Sequence, residues 1–424
     1  IGGGAAATPP SNSVAPAISG STSLGSTLTS TTGTWSGTAP ITYSYQWKRG
    51  ATNIGTDSST YVTVIGDSLA NITCVVTATN SAGSANATSN TLTMTDYSPA
   101  NTVAPAVSGT AVVGQVLTTT NGTWNNSPSS YSYQWKRGAT NIGTNASTYT
   151  LVAADAGNTS NITCVVTATN AAGSTNATSN TVAQILTVRT NSFLTASTIT
   201  DATIKGALNT LDIGLISNSL DTKMVALYPM VGGTASTHKW NFMDARDLDA
   251  AFRVTFSGTW THTSSGAKPN GVNGYARTYC VPSSTARSAY GVYTTEQIDS
   301  GVKVVMAQSA AAGGYMSPSL GVLGVRGTGT LTGYPATTKG MIMGFDIDTS
   351  TSYYANINGT GQTVTRTFAA FNANDYYLGA FTSASYFSGN NLAFAFVGGL
   401  ANQTEATALR TLVQAFQTTL SRQV

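Results

Sequence analysis

Along most of the chain, hydrophobic and polar positions alternate with a period of two, in short runs broken by Gly, Pro and Asn, which is the pattern of half-buried β-strands joined by tight turns. In Tyr43-Ser44-Tyr45-Gln46-Trp47 the aromatic residues fall on one face of a strand, and Ile72, Cys74 and Val76 fall on one face of another. Two such faces meeting form the core of a β-sandwich around Trp47. The pattern returns about 89 residues later. Asn12 to Gly20 matches Asn101 to Gly109, Gly33-Thr34-Trp35 matches Gly122-Thr123-Trp124, and Tyr43 to Gly50 matches Tyr131 to Gly138. Asn71 to Asn80 recurs without change as Asn161 to Asn170. Turn signals spaced roughly 8 to 12 residues apart, without a helical period, give each repeat about seven strands.

From Ile185 the period changes. Ile204, Leu208, Leu211 and Leu215, followed by Leu220 and Met224, line one face of helical turns, with Asp201 and Thr203 as start signals and Pro229 as a stop. Beyond Pro229, Tyr, Phe, Val and Thr alternate with Gly-rich turns, and Ser352 to Gly359 reads as a strand entering an Asn-Gly hairpin turn. A last helix is expected after the capping sequence Asn402-Gln403-Thr404-Glu405, with Leu409, Leu412, Val413, Phe416 and Leu420 as its apolar stripe. The expected organisation is a linker at 1–11, sandwiches at 12–95 and 96–184, a connecting helical segment at 185–228 and a β-domain at 229–424.

Each repeat resembles a bacterial or phage immunoglobulin-like domain. Trp47 and Trp135 stand as the strand C tryptophan and Cys74 and Cys164 as the strand F cysteine, while Leu28 and Leu117 occupy the place of the strand B cysteine. The resemblance therefore implies core roles for Trp47, Cys74, Trp135 and Cys164, with no inter-sheet disulfide and the thiols acting as small buried hydrophobes. The order of weaker motifs from Ala226 to Gly233, Thr237 to Asn241, Phe256 to His262, Asn270 to Tyr275 and Leu392 to Gly398 is similar to concanavalin A or laminin-G-like jelly-roll domains of phage fibre and other virion proteins. The implied fold class is all-β: two tandem immunoglobulin-like sandwiches, then a concanavalin A-like jelly-roll sandwich with a preceding helical segment and a C-terminal helix.

Composition narrows the function. Only 8% of residues are charged, against about 25% in ordinary soluble domains. Hydroxyls and amides must then carry solubility, while 41% apolar and 9% aromatic residues supply several cores and argue against disorder. A net charge of +3 gives no electrostatic case for nucleic acid, and every apolar run is broken too soon to insert in a membrane. The start at Ile1, followed by three glycines, suggests that an upstream segment is missing or removed. Three cysteines are too few for a disulfide framework.

Candidate chemistry is sparse. Asp346 with Asp348, and Asp244 with Asp247 and Asp249, come nearest to paired carboxylates, but they are expected to cap turns or to pair with Arg246 and Arg253. No catalytic residue and no cofactor is expected. Asp244, Asp247 and Asp249 are the only calcium candidates, because they offer hard oxygens without the Gly and Asn pattern of a known loop. His238 and His262 lack ligand spacing and are expected to make structural hydrogen bonds. The spacing of Gly321, Gly324 and Gly327 imitates a nucleotide-binding loop without the following helix, so it reads as turn chemistry. Trp260, Tyr275, Tyr279, Tyr290 and Tyr293, near Gly-rich loops, are candidates for stacking on sugar rings.

The resemblance implies a non-enzymatic structural or adhesion protein on the surface of a phage particle, whether in a fibre, a decoration or a capsid-associated position. The repeats would act as a semi-rigid spacer and the lectin-like domain would dock on other virion proteins or touch host cell-surface polysaccharide, in a homo-oligomer. The alternatives are a secreted bacterial adhesin or carbohydrate-binding protein at a cell surface, and a polysaccharide depolymerase using Asp346 or Asp348.

Overall fold

The expected alternation becomes paired strands in a computed structural model that describes residues 6–280, 289–296, 306–308, 315–317, 322–324, 330–331, 339–346, 352–357, 360–365, 376–378 and 388–422. The fold is mostly β, with four α-helices among the described residues. It divides into two compact units. One comprises Ile1–Gly109, Val116–Tyr149 and Asn161–Val182; the other comprises Thr110–Gln115, Thr150–Ser160 and Ala183–Val424.

The first unit holds immunoglobulin-like β-sandwiches. In the first repeat, Thr42–Arg49 pairs antiparallel with Asn71–Asn80 so that Trp47 lies opposite Cys74. Ile18–Ser19, Thr27–Ser30 and Thr60–Val62 form a separate three-stranded sheet. Leu28, Trp47, Ile72, Cys74 and Val76 are fully buried in one cluster. The second repeat keeps the register, with Trp135 opposite Cys164. Each tryptophan stacks on a tyrosine, Trp47 on Tyr61 and Trp135 on Tyr149, with ring centres 5.6 Å apart in both. The buried indole N–H groups donate to the Ser58 and Ala146 carbonyls, each at 2.9 Å, so neither is left without an acceptor. Burial pushes the Cys74 thiol up and the Cys164 thiol up to about 11, and both are free cysteines.

A buried carboxylate recurs at the same place in both repeats, Asp67 in the first and Asp155 in the second. Asp67 is fully buried, and it accepts hydrogen bonds from Arg49 Nε at 2.7 Å, Tyr61 Oη at 2.8 Å and the Val64 backbone N–H at 2.8 Å. A buried carboxylate is tolerated only when matched in this way. Between the repeats, Tyr97 is 1% exposed, with its side chain in the first repeat's core and its hydroxyl donating to the Thr22 carbonyl at 2.9 Å. Asn170 of the second repeat donates to the carbonyls of Tyr97 and Asn126, at 2.8 and 2.7 Å.

The second unit has three layers. Its helices are α1 (Val188–Ser197), α2 (Ala202–Ser217), α3 (Ala235–His238) and α4 (Gln403–Thr419). One antiparallel sheet has Leu392–Gly398 at its centre, paired with Ala289–Thr294 on one side and with Met224–Tyr228 and Gly266–Pro269 on the other. The other sheet includes Thr255–Ser257, Tyr275–Arg277, Tyr376–Leu378 and Met306–Gln308. Tyr228, Val292, Ile342 and Val397 of the first sheet share a core with Ala276, Met306 and Leu378 of the second, so the sheets pack face to face. On the outer face of the first sheet, Phe394 and Phe396 pack with Phe193 of α1, Leu208, Leu211 and Leu215 of α2, and Leu409, Val413 and Phe416 of α4. Gly291 lies opposite Phe396 and makes room for it, since a Cβ there would sit 2.3 Å from the ring. Gly258, with φ +72°, lets the chain cross from Thr255–Ser257 in one sheet to Trp260–Thr263 in the other, where a Cβ would lie 2.0 Å from the Asn273 carbonyl oxygen.

The structure corrects the expected organisation in three places. Segment 185–228 is not a connector, because α1, α2 and Met224–Tyr228 are all built into the sheet and core of the second unit. Leu220 and Met224 do not extend the helix. α2 starts at its Asp201 cap, where the carboxylate accepts from the Ile204 N–H at 2.8 Å, and it ends at Ser217; Ser219 then takes a φ of 55° and Met224 opens a strand. The second repeat is not self-contained at 184, because its loops Thr110–Gln115 and Thr150–Ser160 belong to the second unit. Val112 joins that unit's core, and Asn158 donates to Gly206 O and Thr210 Oγ1, each at 3.0 Å. The Asn358-Gly359 turn lies outside the described residues, although the flanking strands pair with Ile357 opposite Thr360. Val322–Gly324 of the glycine-spaced segment is a strand.

Phe396→Ala removes a ring from the interface between sheet and helices. It is expected to destabilise the second unit by about 3–5 kcal/mol, read as a lowered denaturation midpoint for near-ultraviolet ellipticity, with the tryptophan environment of the repeats retained.

Candidate functional site

The five aromatic candidates separate by burial. Tyr290 and Tyr293 lie in Ala289–Thr294 and are 3% and 0% exposed. Tyr290 faces the core between the sheets and Tyr293 the core beneath the helices, so neither is available to stack on a ligand. This corrects the expectation: a strand covered on both faces hides odd and even positions alike. Trp260, Tyr275 and Tyr279 are half-buried. Trp260 Nε1 donates to the Ser257 carbonyl at 3.0 Å and lies 3.3 Å from that of Tyr275, and its ring meets Phe256 edge-on at 5.0 Å. The Arg277 guanidinium sits 4.4 Å above the Tyr279 ring. These three keep part of their rings open.

The acidic run is fully engaged by cations. Arg246 donates to Asp244, Lys239 and Arg253 flank Asp247, and Arg253 reaches Asp249 at 3.0 Å. Hydrogen bonds from Arg246 hold the Asp244 carboxyl below its usual range, and those from Lys239 and Arg253 do the same for Asp247. Calcium would have to strip these partners away, and among the described residues no three His, Cys, Asp or Glu side chains gather as a metal-binding group. The Asp346 side chain and all of Asp348 lie outside the described residues.

No spacing in the sequence puts the two histidines together, yet they touch. His238 closes α3, which starts at the Thr234 cap, and His262 lies on Trp260–Thr263; their Nδ1 atoms are 3.0 Å apart. His238 Nε2 accepts the Gly233 N–H at 3.2 Å, so that nitrogen carries no proton. The neutral His238 ring must then be protonated at Nδ1 and donate to His262 Nδ1, which places the His262 proton on Nε2. Phe256 lies edge-on to His262, with ring centres 4.7 Å apart. Beside the pair, Arg422 is buried and donates to the carbonyls of Met230, Pro229 and Ala393 at 2.8, 3.1 and 3.3 Å. Burial first, then the electrostatic influence of His262 and Arg422 alongside, push His238 down to about 3, and burial lowers His262. Burial also lowers Arg422 to about 10. A histidine buried in its neutral form, with both nitrogens committed, fastens a loop and offers no proton to a substrate.

No family model matches the chain. No curated protein matches it. Among solved structures, the chain is similar to a Trypanosoma rangeli sialidase in complex with sialic acid, with a TM-score of 0.33 and 11% identity over 92% of this chain and 66% of the sialidase. It is also similar to the FN1–FN3 domains of chicken CNTN1, with a TM-score of 0.20 and 11% identity over 85% of this chain and 99% of the other. A third is the titin z1z2 domains in complex with telethonin, with a TM-score of 0.22 and 16% identity over 43% of this chain and 98% of the other. Likeness at this level transfers neither residues nor activity.

The lowered His238 pKa makes stability depend on pH. The unfolded chain takes up a proton at about pH 6.5 that the folded site refuses until about pH 3, so stability is full above the unfolded value and falls through that window. The loss from this group is at most about 1.4 kcal/mol per pH unit. Urea midpoints at pH 7 and pH 4.5 are expected to lie further apart in the native chain than in His238→Gln. Equal separations would refute the buried neutral histidine.

Proposed function

We propose that this chain is a non-enzymatic structural or adhesion protein on the surface of a phage particle. The immunoglobulin-like repeats act as a spacer, and the C-terminal domain, of concanavalin A or laminin-G-like type, docks on other virion proteins or contacts host-surface polysaccharide. The observation that carries the reading is the joint between repeats. Tyr97 is sealed into the first repeat while Asn170 of the second holds its backbone carbonyl, so the linker is part of a folded surface. A spacer needs that restraint, because a flexible link gives reach without position. The phage setting rests on the sequence resemblance, and the half-buried Trp260, Tyr275 and Tyr279 are the remaining surface for sugar contact.

Mass spectrometry of purified particles, with electron microscopy to place the chain on them, tests the setting; absence from particles ends the proposal. The spacer role is tested separately. Asn170→Ala is expected to leave each sandwich folded and to broaden the pair-distance distribution in small-angle scattering, with about 1–3 kcal/mol lost from the joint through the carbonyls left unpaired. An unchanged distribution would show that the joint does not set the spacing.

A further inference from the structure

Helix α2 carries more apolar surface than the core uses. Leu208, Leu211 and Leu215 pack beneath the sheet, whereas Ile213 and Ile216, three residues apart and therefore on one face, line a cleft. A helix that is apolar on two sides needs cover on both. The cleft has a volume of about 680 Å³, within the range that takes a drug-sized molecule. Phe242, Met243 and Val188 form further walls, and Ala153 and Ala156 close it from the loop that belongs to the same compact unit. At its mouth Val188 is 59% and Ile216 46% exposed.

The polar groups of the cleft are already committed. Asp212, fully buried, accepts from Arg189 and from Thr187 Oγ1 at 2.6 Å. Arg246 pairs with Asp244. The Ser192 and Ser217 hydroxyls turn back onto the Val188 and Ile213 carbonyls of their own helices, at 3.0 and 2.8 Å. An ionic ligand would have to break one of these pairs and strand its partner, most expensively at buried Asp212. An apolar ligand loses nothing to the wall and removes exposed Val188 and Ile216 from water.

We infer that this cleft binds an uncharged, largely apolar small molecule with a compact aromatic or branched aliphatic body. The site is separate from the spacer and surface-contact reading and stands whether or not the chain resides on a particle. The probe is N-phenyl-1-naphthylamine, which is uncharged and fluoresces in apolar surroundings, titrated into the full chain. Saturable binding at one site is expected. Ile216→Lys, which places a charge at the mouth, and Ala153→Trp, which fills the cleft from its small-residue wall, should each weaken it at least tenfold. Val14→Lys, at a site 58% exposed in the first repeat, should leave binding unchanged. The anionic relative 1-anilinonaphthalene-8-sulfonate should bind at least tenfold more weakly than the uncharged probe. Circular dichroism melting curves confirm that each variant is folded. Non-saturable binding, equal affinity in folded Ile216→Lys and Ala153→Trp, or preference for the sulfonate would overturn the inference. So would a dimer, seen by sedimentation, whose formation expels the probe, since the cleft would then be an interface between copies.

Discussion

The second unit depends on one strand being buried on both faces. All seven residues of Leu392–Gly398 are buried, although its neighbours pair with it antiparallel. Alternation then no longer separates inside from outside; it separates one core from another. Leu392, Ala395 and Val397 pack between the sheets, while Phe394 and Phe396 pack beneath the helices. A register shift between Tyr293 and Thr294 in the pairing places both Ala393 and Phe394 on the helical side. Because the sheet presents an apolar outer face, α1, α2 and α4 are required as its cover, and their sequences are apolar where they meet it.

The same strand explains what could be seen in advance. The repeats are legible because strands such as Thr27–Ser30 and Asn71–Asn80 alternate buried with more open positions, so period two reports orientation directly. The Asp201 and Asn402 caps are legible for a local reason, since a cap acts on an N–H three residues away. Tyr290 and Tyr293 are misleading because a doubly covered strand exposes neither face. α1 is hidden by its composition: Val188–Ser197 has only Phe193 and Leu194 as large buried apolar residues, too few to mark a period, and the Thr187 cap and the tertiary core hold it. The His238–His262 contact joins α3 to a strand across a reversal that no spacing encodes.

Charge is scarce and correspondingly well placed. Asp67 ties Arg49 to Tyr61 inside the first repeat, and Asp212 ties Arg189 to Thr187 at the start of α1. Each is fully buried. In a chain with only 8% charged residues, two such buried pairs do little for solubility. They fix geometry, because any other arrangement leaves a carboxylate without its partners in a low-dielectric interior.

The two repeats are alike in sequence but not in station. Thr22 and Ser23 of the first correspond to Ala111 and Val112 of the second, so a polar pair has become an apolar one, and Val112 is buried in the core of the C-terminal unit. In the first repeat the same position carries a Thr22 carbonyl that receives the Tyr97 hydroxyl of its own linker. The loop before Gly25 and Gly114 is thus the place where two nearly identical modules diverge, because it must be polar where it serves a linker and apolar where it enters a core.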